Sequence, residues 1–300
     1  MNGTIIKSSG GLYTVLSDKK TYDCKARGIF RHKKEPPLVG DRCTFSADEK
    51  LGFVIESIMP RKNSLIRPPV ANIDKLIISF APRSPVPSTL YIDKLTCVAR
   101  HNDIEPIIVI TKADLDIDKA EKLRDTYVRS GFKVFLTSSK QNDGIDALYD
   151  FIYQNKNDII AFAGASGVGK SSILNALFPK LALETGNISE KIERGKHTTR
   201  SVSLFELSDL IDGANGFIAD TPGFSMLDFI NFNFFSLEEL PMTFPEIERI
   251  IGKCRWRDCT HTKEDGCEFL LAVERNEIAE SRKESYLEMR RELSLKNSWK

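Results

Sequence analysis

Gly164-Ala165-Ser166-Gly167-Val168-Gly169-Lys170-Ser171 places three glycines ahead of a lysine and a hydroxyl. Those residue types at that spacing hold phosphate. The glycines let the backbone curl so that successive N–H groups converge on anionic oxygens. The helix that begins there adds a favourable dipole. Lys170 is suited to reach β- and γ-phosphates, and Ser171 to place its hydroxyl on Mg²⁺. Ser172 continues the segment. The apolar run Ile159–Ala163 supplies the strand before this loop, and Lys170–Phe178 the helix after it.

Thr111-Lys112-Ala113-Asp114 follows the apolar run Ile107–Ile110. A carboxylate at Asp114 accepts from the ring N–H and exocyclic amine of guanine. Adenine lacks that pair of donors and would leave the carboxylate unmatched. Lys112 would lay its stem along the nucleotide. Thr111 stands where such segments commonly carry Asn, and a threonine has no amide to bridge loops. Thr137-Ser138-Ser139-Lys140 follows the next strand-like run, and its backbone at Ser138 and Ser139 is suited to touch the guanine oxygen. Asp220-Thr-Pro-Gly223 follows Phe217–Ala219. Asp220 would serve the magnesium shell, and Gly223 would offer its N–H to the γ-phosphate.

Between phosphate loop and DTPG lies Gly195-Lys-His-Thr-Thr199, where Thr198 or Thr199 would cap Mg²⁺ and the γ-phosphate. Phe224 follows Gly223 where many GTPases orient water with Gln. His197 is the nearest group able to do so; it reads equally as a solvated loop residue or a partner contact. The base-reading segment precedes the phosphate loop, the reverse of the ordinary order. A circular permutation allows this, since strands neighbour in space and not in sequence.

Cys254, Cys259, His261 and Cys267 offer three thiolates and an imidazole at close spacing. Soft donors of this kind suit one tetrahedral Zn²⁺ in a structural role. Arg255, Trp256 and Arg257 lie inside the cluster and would contact RNA or shield the site.

These segments need a frame. Residues 1–62 read as short strands (Thr4–Lys7, Leu12–Leu16, Arg42–Phe45, Phe53–Ile58) of an OB-like barrel. Arg27, Arg31, His32, Lys33 and Lys34 form a basic loop on it, either solvated or contacting nucleic-acid phosphate. Pro60–Pro69 reads as a linker. Over 63–228, Leu76–Phe80, Ile107–Ile110, Val134–Leu136 and Ile159–Ala163 alternate with helical Leu90–Arg100, Asp118–Arg129, Gly144–Gln154 and Lys170–Phe178. That is an α/β, mostly parallel sheet covered by helices. Over 229–300 the cluster precedes a polar helix from about Glu268 onward. Its Arg275, Arg282, Lys283, Arg290, Arg291 and Lys296 read as a solvated face, with an RNA contact as the alternative.

The 300 residues suit two or three domains, and a net charge of +1 announces no global nucleic-acid or membrane field. No charged leader with an apolar stretch opens the chain and no apolar run would span a bilayer, so a cytoplasmic location is expected. Six cysteines there read as thiols or metal ligands.

Together GASGVGKS, GKHTT, DTPGF, the Cys-x4-Cys-x-His-x5-Cys cluster and the OB-like barrel resemble the ribosome small-subunit-dependent GTPase A family over essentially the whole chain. The resemblance implies a monomeric GTPase with one zinc ion that binds the small ribosomal subunit and its rRNA late in assembly. It implies hydrolysis stimulated by the subunit and coupled to release of assembly factors or of the protein itself. It favours Thr199 over Thr198. A small-molecule kinase would need an acceptor pocket and base that the motifs do not supply. A protein-only signalling switch would lack RNA binding that weakens with salt.

Overall fold

The computed structural model describes residues 1–32, 35–181, 202–220 and 234–297. The chain forms two compact units. One comprises Met1–Leu76, Asp150–Phe162 and the described part of Glu184–Ser225; the other comprises Ile77–Tyr149 and the described parts of Ala163–Leu183 and Met226–Lys300.

Strands β1 (Asn2–Ser9), β2 (Leu12–Ser17), β3 (Lys20–Ala26), β4 (Arg42–Asp48) and β5 (Gly52–Ile58) close a barrel in the order β1-β2-β3-β5-β4, with β4 returning to β1. Alternation along the strands buries Ile5, Val15, Cys24, Cys43, Phe45 and Val54. Gly3 lies on the strand shared by both neighbours. A Cβ there would sit 2.5 Å from Val15 Cγ1 and 2.6 Å from Leu16 O, so closure demands glycine. β3 is absent from the expected strands because only Cys24 of its seven residues is buried. The one-turn helix α1 (Ile29–His32) holds Arg31 and His32 of the expected basic loop. Arg27 pairs with Glu56 at 2.6 Å. Lys33 and Lys34 lie outside the described residues.

The linker expectation is corrected. Within Pro60–Pro69 and just beyond, β6 (Ser64–Leu65) and β7 (Val70–Ala71) pair antiparallel. Leu65 and Val70 are buried, and the Arg61 guanidinium forks onto the fully buried Asp41 at 2.7 and 2.8 Å. A segment that buries apolar side chains and closes a bidentate ion pair is packed structure.

Next along the chain come β8 (Lys75–Phe80), α2 (Thr89–His101), β9 (Glu105–Ile110), α3 (Ile117–Arg129), β10 (Lys133–Leu136), α4 (Ile145–Gln154), β11 (Ile159–Ala163), α5 (Lys170–Leu177), β12 (Ser203–Glu206) and β13 (Phe217–Asp220). In the second unit the strand order is β10-β9-β8, with β9 and β10 parallel. In the first, β11 runs parallel to β13, and β12 runs antiparallel to it. Ile107–Ile110 and Leu76–Ile78 are buried without alternation, as strands of a covered sheet must be. Ser88 caps α2, accepting from Tyr91 N at 3.3 Å, and Asp116 caps α3, accepting from Lys119 N at 3.2 Å.

The chain continues through α6 (Leu240–Thr243), α7 (Pro245–Glu248), α8 (Glu268–Glu274) and α9 (Glu280–Asn297). The single helix expected from Glu268 is broken. Asn276 takes a left-handed φ of +57°, and Glu277 N donates to Ala272 O at 2.9 Å, a closure that ends α8.

The solvated-face expectation fails at Arg282, which is fully buried. Its Nη1 donates to Asp93 Oδ1 on α2, and its Nε donates to Glu246 Oε1 at 2.6 Å. The guanidinium lies 4.5 Å from the centre of the Phe244 ring. Tyr127 on α3 donates to the same Asp93 oxygen at 3.0 Å. Burial pushes the Asp93 carboxyl up, and the Arg282 charge opposes that shift. Lys94 on α2 pairs with Glu292 on α9 at 2.7 Å. The C-terminal helices therefore cover α2, which explains why Asp93, Lys94 and Thr96 are buried on a helix whose apolar stripe is Ile92, Leu95, Val98 and Ala99.

Candidate nucleotide site and metal cluster

The phosphate loop joins β11 to α5. Gly164 has φ +144°, and a Cβ there would lie 2.2 Å from Ser79 O, so the loop's first residue must be glycine. Lys170 opens α5 and donates to Gly164 O at 2.7 Å and Ala165 O at 2.8 Å, drawing the loop around its own ammonium. Ser171 and Ser172 follow in the first turn, where helix N–H groups have no intrahelical acceptors. Gly167 and Gly169 both have positive φ.

The base-reading segment lies against this loop. A Cβ on Gly169 would fall 3.5 Å from Lys112 Cε and 3.8 Å from Thr111 Oγ1. Here the structure corrects the sequence expectation that threonine cannot bridge loops. The Thr111 hydroxyl, within hydrogen-bond reach of Phe80 O at 3.2 Å, donates to Val168 O at 2.5 Å. The bridge needs one donor and no amide, because the carbonyl comes to the hydroxyl. Lys112, at φ +49°, sends its ammonium to Gly167 O at 2.6 Å and Ser84 O at 3.1 Å. Ala113 N donates to Thr137 O at 3.1 Å, tying the segment to the next strand's end. Ser138 donates from its hydroxyl to Asp114 Oδ1 at 2.6 Å, aiming the carboxylate. The sequence pointed only to the backbone of Ser138 and Ser139, so this orienting hydroxyl is a residue role it missed.

Asp220 ends β13 in register with Phe162, on the strand that runs into the phosphate loop. His197, Thr198, Thr199 and Gly223 lie outside the described residues.

Cys254, Cys259, His261 and Cys267 converge: their ligand atoms all lie within 4.8 Å of one another. His261 Nδ1 is 3.6 Å from the sulfurs of both Cys254 and Cys267. Burial and neighbouring sulfurs push the Cys259 thiol up. Three sulfurs with one imidazole fit a soft divalent ion. Glu264 holds the loop. Its carboxylate accepts from Thr260 N and Thr262 N at 2.8 Å each and from Lys263 N at 3.0 Å. Burial alone would raise its pKa, but bonds from the Thr260 hydroxyl and from the Thr262 and Thr260 N–H groups outweigh burial and hold it well below the usual carboxylate range. Sequence gave Glu264 no role, though an acid three residues after a ligand in a short loop is the available signal. His261 sits edge-on to Phe269 and Tyr286, and the Tyr286 hydroxyl donates to Thr260 O at 2.9 Å. Trp256 is half exposed, with the Arg255 guanidinium 5.2 Å from its ring centre. Cys24, Cys43 and Cys97 stand apart as buried thiols, burial pushing them up to about 11, 12 and 12.

A phosphate loop locked to a carboxylate-bearing segment that precedes it in the chain defines a circularly permuted P-loop nucleotide hydrolase. Comparison with known proteins narrows the class. The model of the RsgA GTPase family matches residues 58–230, and that of the RsgA N-terminal domain matches residues 2–54. The chain belongs to the RsgA GTPase family and is a GTP hydrolase. It is 44% identical to the small ribosomal subunit biogenesis GTPase RsgA of Bacillus pumilus (strain SAFR-032), covering 97% of each chain. It is 42% identical to the protein of that name from Bacillus subtilis (strain 168), again over 97% of each. Among solved structures it resembles YloQ, described as a circularly permuted GTPase, at 36% identity and TM-score 0.73, covering 100% of this chain and 96% of that one. It resembles YjeQ from Thermotoga maritima at 35% identity and TM-score 0.77, covering 97% and 98%.

Proposed function

We propose that this chain is a Mg²⁺-dependent GTPase of small ribosomal subunit maturation, stimulated by the subunit and coupling hydrolysis to release of assembly factors or of itself. The observation that carries the nucleotide part is the junction of the two motifs through Thr111 to Val168 and Lys112 to Gly167. Gly164–Ser172 would cradle the phosphates, with Ser171, Thr199 and Asp220 serving the magnesium ion and Gly223 the γ-phosphate. Asp114, with Ser138 and Ser139, would read guanine. His197 is assigned the positioning of water, and a His197→Ala variant with full turnover would remove that role.

The relatives' names, small ribosomal subunit biogenesis GTPase, support the ribosomal part. The barrel adds a groove of about 760 Å³ whose lining includes the cations Lys25 and Arg27, charges suited to a phosphate backbone. Zn²⁺ is assigned to the cysteine and histidine cluster. We take 1–62, 63–228 and 229–300 as the three domains of a monomer. No described helix is long and apolar enough to cross a membrane, and we assign the protein to the cytoplasm.

The test is phosphate release from GTP, with ATP as comparator, with and without purified small subunits. Subunits should accelerate GTP turnover by about tenfold or more, equivalent to at least about 1.4 kcal/mol of barrier. Equal rates with and without subunits would remove the ribosomal assignment. Comparable ATP turnover would remove the guanine assignment.

A further inference from the structure

Guanine offers two kinds of edge. Its N1–H and exocyclic amine are donors, whereas O6 and N7 are acceptors and need donors from the protein. Asp114 is an acceptor and matches only the first kind. The side-chain donors of the base-reading segment are turned elsewhere. Thr111 is 1% exposed, its backbone N–H donates to Phe80 O at 2.8 Å, and its hydroxyl donates to Val168 O. A hydroxyl has a single proton, so that bond exhausts it. Lys112 directs its ammonium to Gly167 O and Ser84 O. Ala113 N is bound to Thr137 O, and the Ser138 hydroxyl is bound to Asp114. Asn in place of Thr111 would carry two amide protons, one for a bridge and one to spare. Threonine has none to spare.

We propose that Thr111 is a positioning residue that fixes the phosphate loop and reads no atom of the base, so that N7 of guanine goes unrecognised by the side chains of this segment. This rests on the guanine reading of Asp114. Side-chain recognition is then confined to the N1–H and amine edge, with O6 left to the backbone around Ser139. Nucleotides altered at N7 should be accepted, and those altered at the 2-amine rejected.

The test is competition against a fluorescent GDP on the full-length chain, using GDP, 7-deaza-GDP and IDP, which lacks the 2-amine. The expected result is 7-deaza-GDP within about threefold of GDP, and IDP weaker by about tenfold or more, the loss of one hydrogen bond to a charged group. Weakening of 7-deaza-GDP by about tenfold, with IDP also weakened, would overturn this inference and leave the guanine reading intact. IDP binding as tightly as GDP would overturn both. Thr111→Val removes the hydroxyl and keeps the shape. It should weaken GDP and 7-deaza-GDP by the same factor, about fivefold to tenfold, while Thr111→Ser restores both. A Thr111→Val loss confined to GDP would contradict a positioning role. The wild-type comparison stands even where a variant fails to fold.

Discussion

Two cations in the second unit are held in opposite ways. The Lys112 ammonium rests on two neutral carbonyls, Gly167 O and Ser84 O, and among the described residues no carboxylate pairs with it. Arg282 is held by the carboxylates of Asp93 and Glu246 and roofed by Phe244. A cation on carbonyls keeps a field that no described carboxylate answers, and this one rests on the phosphate loop itself. A cation matched by buried carboxylates has its field already answered, and its work is to hold α9 onto α2. The difference separates a ligand site from a structural clamp without reference to any motif.

The largest expected effect breaks the clamp. Arg282→Met leaves Asp93 and Glu246 buried without their cation, and urea unfolding should show a loss of about 3–5 kcal/mol. A loss under about 1 kcal/mol would mean that the carboxylates find water or neutralise cheaply. Next comes the loop: Lys170→Ala should reduce GTP turnover by about a hundredfold while leaving the unfolding midpoint within error. In the metal loop, Glu264→Ala removes the acceptor for three backbone N–H groups. Zinc affinity, measured by chelator competition, should fall by about tenfold. The smallest effect is at the surface pair of Arg124 and Glu121, both side chains nearly half exposed. Arg124→Ala should change stability by no more than about 0.5 kcal/mol.

The two regions also differ in what sequence could reveal. The phosphate loop was legible because its chemistry depends on contiguous residues, and Gly164 to Ser171 specify it alone. The convergence of Cys254, Cys259, His261 and Cys267 was legible because the four lie at short spacing in one loop. Thr111 was misjudged because a bridge depends on where Val168 O arrives, which no local pattern states. The Arg282 clamp was missed because charge was read as exposure. Its signal was present: Arg282 shares a helical stripe with Tyr286, Met289 and Leu293, all buried. A charged residue on an apolar stripe asks for a buried partner, and Asp93 shows the same mismatch on α2. β3 and the β6–β7 hairpin escaped because few of their residues carry the apolar alternation that marks a strand, and pairing with distant segments decides their fate.

The most direct test of the distinction between site and clamp is the rise in thermal unfolding temperature on adding saturating GDP, measured on wild type, Lys170→Ala and Arg282→Met. Binding to the native state stabilises by mass action, so the increment reports the site and the baseline reports the clamp. Arg282→Met should start low and keep the wild-type increment; Lys170→Ala should start at the wild-type baseline and lose it. An Arg282→Met protein that keeps the wild-type baseline, or a Lys170→Ala protein that keeps the full increment, would contradict the account.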